Sequence, residues 1–510
     1  MRKRSCGLYI VQLLLTNIFI LHTSLGMAQK VSQNTPNIIY IYADDLGYGE
    51  LGSYGQQKIK TPQLDRLAKE GVRFTQHYAG APVCAPSRAM LMTGKHAGHS
   101  YIRGNYELGG FRDEDEGGQM PLPEGIFTLP KMLKQAGYIT GMSGKWGLGM
   151  AGTSGDPLMH GFDYYYGLLD QKQAHNFYPT HLWENSRWDT LKNPVITVHR
   201  PIDSATATQK DFDYFKGSDY SVDKMTDKAI GFIDRYKGQR FFLYLPYTLP
   251  HVSLQVPDEA LTPYLGKFDE KPYYGQKGYT SQKYPRSAYA AMVCYLDKQV
   301  GLIMAKIEEA GLDNNTIIMF SSDNGSSIEG GADPEFFNAT GGLRGTKRDL
   351  YEGGIRVPFL ARWPGHIKPG TVSDHISTQY DLLATLAELC GGQIHGNTDG
   401  ISFLPALIGD KASQKSHEYL YFEFPEKGGQ VAIRLGKWKG IRTEVKKDRK
   451  AAWQLYDLSN DRAETKNLAD QQRRSSGVWR RFKSWHTSMP IFGNGSLLTQ
   501  NLVRSKRYTF

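Results

Sequence analysis

Four segments of the chain consist almost wholly of apolar residues, and this pattern predicts buried strands. They occupy residues 37–42, 137–142, 241–247 and 316–320. Strands that are apolar on both faces are typical of a parallel sheet covered on both sides. Each segment runs directly into polar residues, among which are Asp44, Lys145, His251 and Asp323.

The segments between these strands have the spacing of amphipathic helices. Glycine follows them at the points where a helix commonly stops, after residues 63–70, 129–136 and 288–310. Alternating strands and helices predict an α/β fold with a largely parallel sheet. Functional sites in such sheets lie beyond the carboxyl ends of the strands. The four polar strand ends therefore predict one shared site.

The pattern changes near residue 400, where short alternating segments with turn residues replace the long ones. These lie at 418–423, 429–435, 438–442 and 453–457, and they predict antiparallel strands. A helix is predicted near 471–486. We therefore predict a catalytic domain at 29–400 and a smaller α+β subdomain, with a small antiparallel sheet, at 401–510.

The first 28 residues have the pattern of a secretory signal peptide. Three basic residues at 2–4 precede an apolar run at 8–21, and small residues stand at 26–28. An uncleaved membrane anchor is the alternative, but the apolar run is short for a membrane span. We expect an exported protein, periplasmic or extracellular, that is not stably inserted in a membrane.

Charge and cysteine content narrow the possible partners. The formal net charge is +10, which suits an anionic substrate such as a sulfated glycan, although it also serves solubility. No basic stripe or known binding module indicates nucleic acid. Cys6 would leave with the signal peptide, so three cysteines remain. At least one of them is then unpaired.

The segment around Cys84 carries the most specific motif. It contains CAPSR at 84–88 and LMTGK at 91–95. It resembles the maturation signature of type I sulfatases, in which the cysteine of C-x-P-S-R is oxidised to formylglycine. The alternative is a buried structural thiol. The resemblance implies a sulfuric ester hydrolase and a formylglycine-generating maturation enzyme as its partner. A hydrated aldehyde offers one hydroxyl to attack sulfur and a second whose deprotonation expels sulfate.

Two acidic pairs, Asp44-Asp45 and Asp323-Asn324, follow separate strands. Four oxygen-bearing side chains that converge suit a hard cation. The resemblance implies that these pairs bind calcium or magnesium beside the formylglycine derived from Cys84. Such residues also cap helices and turns, which is the alternative. An irregular site made of oxygen atoms favours Ca²⁺ over Mg²⁺.

The resemblance also implies roles for three cations and one histidine. Arg88, Lys145 and Lys347 would hold sulfate and offset charge on its oxygens. His251 would lie near the leaving oxygen as a general acid. An isolated lysine is usually a solvated surface residue, so both lysine assignments depend on the resemblance.

The resemblance covers nearly the whole mature chain and has one clear departure. It implies an alkaline-phosphatase-like fold, a mixed sheet sandwiched by helices with a smaller C-terminal α+β subdomain. Many members read GKWHLG where this chain has GKWGLG at 144–149, so a histidine is replaced by Gly147. In the family that histidine contacts the formylglycine. We hypothesise that His175 reaches into the vacated space, as a base or a substrate contact. The alternative is an ordinary rim residue.

The substrate is the least determined feature. Residues 173–179 resemble bacterial glycan sulfatases, some of which act on 4-O-sulfated galactose or N-acetylgalactosamine. We predict a sulfated carbohydrate substrate contacted by His175, Arg103 and Asn105. A phosphate ester hydrolase of the same superfold and a non-catalytic glycan-binding protein are the alternatives. The sequence leaves open the sugar, exo or endo action and the oligomeric state.

Overall fold

A computed structural model describes residues 35–110 and 115–472 of the chain. The predicted signal peptide lies outside the described residues, and so does most of the helix predicted at 471–486. The described part ends in a short helix, Ala469–Gln472. None of the helices in these two ranges has the length and apolar character needed to span a membrane.

The strands of the described residues form three sheets. In chain order the strands are β1 (Asn37–Ala43), β2 (Val72–Tyr78), β3 (Glu107–Gly109), β4 (Glu116–Gln119), β5 (Ile139–Lys145), β6 (Tyr164–Leu168), β7 (His181–Glu184), β8 (Arg187–Thr190), β9 (Phe241–Pro246), β10 (Thr316–Ser322), β11 (Arg356–Arg362), β12 (Thr371–Ser373), β13 (Ser377–Thr378), β14 (Leu420–Phe424), β15 (Gln430–Leu435), β16 (Trp438–Arg442) and β17 (Gln454–Asp457). The large sheet has the order β12-β2-β11-β10-β1-β9-β5-β6-β7-β8, and β13 also pairs with β2. A four-stranded sheet has the order β14-β15-β16-β17, and β3 pairs with β4.

The large sheet is mixed. Its centre is parallel, because β1 pairs in parallel with β9 and β10, and β5 with β9 and β6. Antiparallel pairs enter through β11, which lies between β10 and β2, and through β7 and β8 at the other edge. The apolar pattern predicts the parallel centre, and the fold implied by the family resemblance is confirmed.

Helices cover both faces of this sheet and create two apolar cores. Along β1, Ile39 and Ile41 point into one core while Ile38 and Tyr40 point into the other, which explains why the whole strand is apolar. The first core is packed by helices Pro62–Glu70, Ser221–Tyr236 and Pro285–Glu309. The second is packed by helices Cys84–Thr93, Leu129–Gln135 and Leu382–Cys390. Shorter helices are Gln209–Asp213, Asp258–Leu261, Glu352–Ile355 and Leu404–Ile408.

The C-terminal sheet has an apolar core of its own. Phe422, Ile433 and Leu455 are buried in it, together with side chains from the segment that leads into the Cys84–Thr93 helix. Its strands β14 to β17 occupy the four segments predicted from alternation, so the smaller C-terminal subdomain is confirmed as a feature of the fold. The boundaries at 28/29 and 400/401 stay predictions.

Candidate active site

Four neighbouring strands of the large sheet end at one place and bring the predicted site residues together. Asp44 follows β1, and its backbone N–H donates to the carbonyl of Leu249 beyond β9, at 3.0 Å. The N–H of Asp323, beyond β10, donates to Ala43 at 3.1 Å. Lys145 is the last residue of β5, which pairs with β9. Parallel strands with a common register therefore create the site.

Cys84 is the first residue of a buried helix, and its thiol lies against these strand ends. The thiol donates to Oδ1 of Asp44 at 3.3 Å. The Nζ of Lys145 donates to the other oxygen of that carboxylate at 2.7 Å, and both side chains are fully buried. Burial and then the negative charge of Asp44 raise the pKa of the Cys84 thiol well above its usual value. The encoded thiol is therefore protonated.

Arg88 lies one helical turn after Cys84 and ties the two acidic pairs together. Its Nη2 and Nε donate to Oδ2 of Asp323 at 2.8 and 3.2 Å, and Nη1 donates to the carbonyl of Lys145 at 2.8 Å. Burial alone would raise the pKa of Asp44, but nearby cations, of which Lys145 has the largest effect, hold it well below its usual range. Burial and then the negative charge of Asp44 raise the pKa of Asp323 to about 7.

Asp45 and Asn324 complete the acidic cluster. The amide of Asn324 donates to Oδ1 of Asp45 at 2.7 Å, and the N–H of Asp45 donates to Oδ1 of Asp323 at 3.1 Å. The Oδ1 of Asn324 is buried and has no hydrogen-bond partner among the described residues. A buried acceptor without a partner is unfavourable, so this oxygen is available to a cation or water.

Lys347 and His251 lie on the other side of Asp45. The Nζ of Lys347 donates to Oδ2 of Asp45 at 2.8 Å and to Nε2 of His251 at 3.1 Å. The Nδ1–H of His251 donates to the carbonyl of Val252. Burial and then the positive charge of Lys347 lower the pKa of His251 to about 4. The imidazole is therefore neutral, with Nε2 facing the cluster.

His175 is buried at the wall of the site. Its ring stacks on the ring of His251, with centroids 5.2 Å apart and planes at 17°. Its Nδ1 lies 3.3 Å from Nε2 of His199, and Tyr279 packs against it with ring centroids 4.9 Å apart. Burial holds the pKa of His175 well below its usual value, and the adjacent ring of His251 adds to this because two neighbouring imidazoles disfavour protonation of both.

A different side chain fills the space beside Gly147. Gly147 has φ +71°, and a Cβ built on it would lie 2.7 Å from Nε2 and 3.0 Å from Cγ of Gln171. The three nearest atoms all belong to Gln171. The vacated space that we assigned to His175 is therefore occupied by Gln171, and His175 contacts His251 instead.

The two other predicted substrate contacts lie on one loop. The side-chain oxygen of Asn105 accepts the N–H of Ala85 at 3.1 Å, next to Cys84. Arg103 donates to the carbonyls of Ser100 and Gly98 at 3.1 and 2.8 Å, so it braces the loop. Their role as substrate contacts stays a prediction.

Sequence reasoning missed one residue that supports the helix beginning at Cys84. The Oε1 of Gln379 accepts the hydroxyls of Tyr42 and Ser87, each at 2.6 Å, and so links β1 to the Cys84–Thr93 helix. No local pattern in the sequence marks Gln379 for this contact, because its partners lie 337 and 292 residues away in the chain. Tyr279 and His199 carried no sequence signal, because they lie in a loop without a recognisable motif.

The fold and the site together define an enzyme for anionic esters. The Cys84 thiol at a helix start faces buried carboxylates, and the three cations paired with those carboxylates are able to hold a tetrahedral anion. The chain belongs to the sulfatase family, whose pattern it matches over residues 36–392. It is a sulfuric ester hydrolase. Residues 345–484 also match the C-terminal region of N-sulphoglucosamine sulphohydrolase.

Similar proteins match this chain over most of their length, in sequence or in structure. Arylsulfatase A of Bos taurus is 33% identical over 479 residues, which cover 87% of this chain and 85% of that protein. N-acetylgalactosamine-6-sulfatase of Canis lupus familiaris is 30% identical, covering 83% and 74%. The crystal structure of Ps i-CgsB in complex with k-i-k-neocarrahexaose superposes with a TM-score of 0.71 at 27% identity, covering 92% and 97%.

Proposed function

We propose that this sulfatase removes sulfate from a sulfated carbohydrate through a formylglycine made from Cys84. The observation that carries the proposal is the buried contact of the Cys84 thiol with Asp44, surrounded by Arg88, Lys145 and Lys347. When formed, the hydrated aldehyde supplies one hydroxyl that attacks sulfur and a second whose deprotonation releases sulfate. A maturation enzyme of the formylglycine-generating class is therefore a required partner.

A divalent cation fits the acidic cluster. Asp44, Asp45, Asp323 and Asn324 offer oxygen atoms around one point, and the buried Oδ1 of Asn324 lacks a partner among the described residues. These oxygens would hold Ca²⁺ or Mg²⁺, and the all-oxygen set favours Ca²⁺. When bound, the cation supplies positive charge that polarises a sulfate oxygen.

The cationic side chains hold the sulfate group in this proposal. Lys145 and Lys347 each end in an ammonium group that carboxylates fix in place, at Asp44 and Asp45 respectively. Positive charges positioned before substrate binds need no rearrangement as negative charge develops on the sulfate oxygens. Arg88 contributes indirectly, because it fixes Asp323 and the carbonyl of Lys145.

His251 protonates the leaving alkoxide in this proposal. Its pKa of about 4 belongs to the site without substrate, where burial and Lys347 disfavour the imidazolium. A bound sulfate brings negative charge and favours protonation. The proton on Nε2 would then pass to the bridging oxygen as the S–O bond breaks, and an alcohol leaves.

The carbohydrate substrate rests on two supports. The similar structure named above was solved with a neocarrahexaose, which is a glycan. The segment that carries His175 resembles bacterial glycan sulfatases and places a buried imidazole on His251. We propose a 4-O-sulfated galactose or N-acetylgalactosamine as the preferred unit, with Arg103 and Asn105 near the sugar.

We also propose that the protein is exported, because a basic segment at 2–4 precedes an apolar segment at 8–21.

The decisive experiment compares two ester classes. The protein is produced together with a formylglycine-generating enzyme and assayed on an aryl sulfate and on the matching aryl phosphate. The mass of the peptide that contains Cys84 is measured by mass spectrometry. We expect sulfate hydrolysis and a peptide that has lost sulfur and two hydrogens and gained one oxygen. Cys84→Ala abolishes turnover, whereas Cys390→Ala, at another buried free thiol, retains it. Full activity with an unmodified thiol, faster phosphate hydrolysis, or binding without turnover would each reject the proposal.

A substrate screen tests which sugar position carries the sulfate that the enzyme removes. Purified mature enzyme is offered galactose and N-acetylgalactosamine carrying sulfate at the 3, 4 or 6 position. The proposal expects release from the 4-sulfated sugars at the highest kcat/KM. A clear preference for the 6-sulfated sugars would leave the sulfatase assignment intact and overturn the positional one.

A further inference from the structure

Gln171 presents an unpaired amide nitrogen beside Gly147, in the segment that leads to His175. Its side chain is only 2% exposed, and its Nε2 has no hydrogen-bond partner among the described residues. A buried amide donor that stays unpaired costs about 1–3 kcal/mol. Natural proteins accept such a group where a ligand satisfies it.

The backbone on both sides of Gln171 is held in place. The carboxylate of Asp170 accepts the N–H groups of Gly117, Gly118 and Lys172, at 3.1, 2.6 and 2.7 Å. The N–H of Gly147 donates to the carbonyl of Leu169 at 3.1 Å. The segment is therefore fixed between the end of β5 and the β3–β4 hairpin, and the amide of Gln171 is a positioned group.

The location of this segment connects it to the reacting groups. At one end, Gln171 packs on Gly147, two residues after Lys145. At the other end, His175 stacks on His251 and feels the positive charge of Lys145. The segment thus begins beside the residues that follow Lys145 and ends at the ring that stacks on His251.

A second buried amide lies on the adjoining hairpin. Gln119 follows Gly118 in β4, is 2% exposed, and neither atom of its amide has a partner among the described residues. Its Cα partner in the hairpin is Glu107, a carboxyl whose environment includes the charges of Lys145 and Lys347. The unpaired Nε2 of Gln171 and the unpaired amide of Gln119 lie on neighbouring segments, which favours a polar ligand on this side of the site.

We propose that Gln171 is a sulfate-binding residue whose amide N–H donates to an oxygen of the bound sulfate ester group. The proposal rests on the sulfatase function proposed above. An amide neither takes up nor releases a proton near neutral pH, so Gln171 contributes a neutral donor, and proton transfer belongs to other groups. Sulfate oxygens are acceptors only, which matches the unpaired donor.

The kinetic test replaces Gln171 in the matured enzyme. Gln171→Ala should lower kcat/KM about 10- to 100-fold on a small aryl sulfate and on a sugar sulfate alike, which is the loss of one hydrogen bond to a charged group. Gln171→Glu should lose more, because a carboxylate repels the sulfate. The matched control is Gln299→Ala. Gln299 is a buried glutamine on the helix Pro285–Glu309 that donates to Asp223, and its variant should keep parental kinetics.

A double-mutant cycle on thermal stability tests the position of the Gln171 side chain and needs no activity measurement. Gly147→Ala should lower Tm, since its Cβ would meet Gln171, and the loss should be smaller in a Gln171→Ala background. Equal losses in both backgrounds would show that Gln171 does not fill this space. Parental kinetics for Gln171→Ala, or a loss confined to the sugar substrate, would overturn the sulfate contact. An inactive matured parent would instead reject the proposed function on which this inference rests.

Discussion

At the scale of single residues, the site is a set of buried charges that compensate one another. Asp44 contacts Lys145, Asp45 contacts Lys347, and Asp323 contacts Arg88, each at 2.7 to 2.8 Å. Removing one partner of a buried pair leaves an uncompensated charge, which is costly. Variants that keep size and remove only charge or one ligand are therefore the most informative.

The proposed cation site is tested by Asn324→Ala. Within residues 35–110 and 115–472, the side chain of Asn324 donates only to Asp45 and to the adjacent carbonyl of Gly325, so its removal disturbs the ion pairs less than a change at Asp323. We expect lower metal content by elemental analysis and a kcat/KM reduced by roughly 10- to 100-fold. Chelation should reduce parental activity, and added Ca²⁺ or Mg²⁺ should restore it. Full activity in metal-free enzyme would contradict the site.

The proposed role of His175 is tested by His175→Ala. Its ring covers His251, so we expect kcat on the natural substrate to fall at least about tenfold, as is typical when a group that assists proton transfer is lost. The exposed His366→Ala is the control and should behave as the parent. Rate constants that match the parent enzyme would make His175 a packing residue.

At the scale of elements, strand β2 carries a buried histidine that makes stability depend on pH. His77 accepts or donates one hydrogen bond, between Nδ1 and the Ser377 hydroxyl at 2.9 Å, and its ring packs on Phe359. Burial lowers the pKa of His77 to about 3. As pH falls below about 6.5, the unfolded chain binds a proton there that the folded chain does not. The stability contributed by neutral His77 is therefore lost on acidification.

The variant His77→Phe should lose less stability on acidification than the parent protein. Phenylalanine preserves the aromatic packing and does not titrate, so Tm should fall less between pH 7 and pH 4 than in the parent. Between pH 7 and pH 4, the parent should lose roughly 3 kcal/mol more of its free energy of unfolding than the variant does. Thermal unfolding of both proteins across that range measures it. Parallel pH profiles would show that His77 is not the responsible group.

At the scale of the whole molecule, a buried ion network joins the C-terminal sheet to the catalytic part. Lys439 of β16 contacts Glu352 at 2.9 Å and Glu464 at 3.0 Å, and all three are fully buried. Arg356 also contacts Glu352, at 3.3 Å. Burial opposes ionisation of Glu352, but Lys439 and its neighbours hold the pKa of that carboxyl at about 2.

Lys439→Met should destabilise the protein by about 3–5 kcal/mol, because it leaves two buried carboxyls short of positive charge. Lys437→Met is the matched control two residues away. Lys437 is half exposed and pairs with Asp457 from the solvent side, so its loss should cost no more than about 1 kcal/mol. Chemical unfolding of the two variants gives the comparison. Equal stabilities would exclude the network as the connection between the two parts.

The sequence by itself determined the class of the fold and the centre of the site. The strands β1, β9 and β10 were predictable because a strand buried on both faces must be apolar throughout. Cys84, the acidic pairs and His251 were predictable because they follow such strands or stand in a specific motif. The smaller sheet was predictable from its alternation and turn residues.

Tertiary structure alone decided how distant segments meet. No local pattern predicts that β11 pairs antiparallel, or that Gln379 supports the helix beginning at Cys84. Both depend on packing between elements that are far apart in the chain. The same holds at Gly147. The sequence shows that a histidine is missing there, but only the path of the segment after β6 brings Gln171 into that space and leaves His175 on His251.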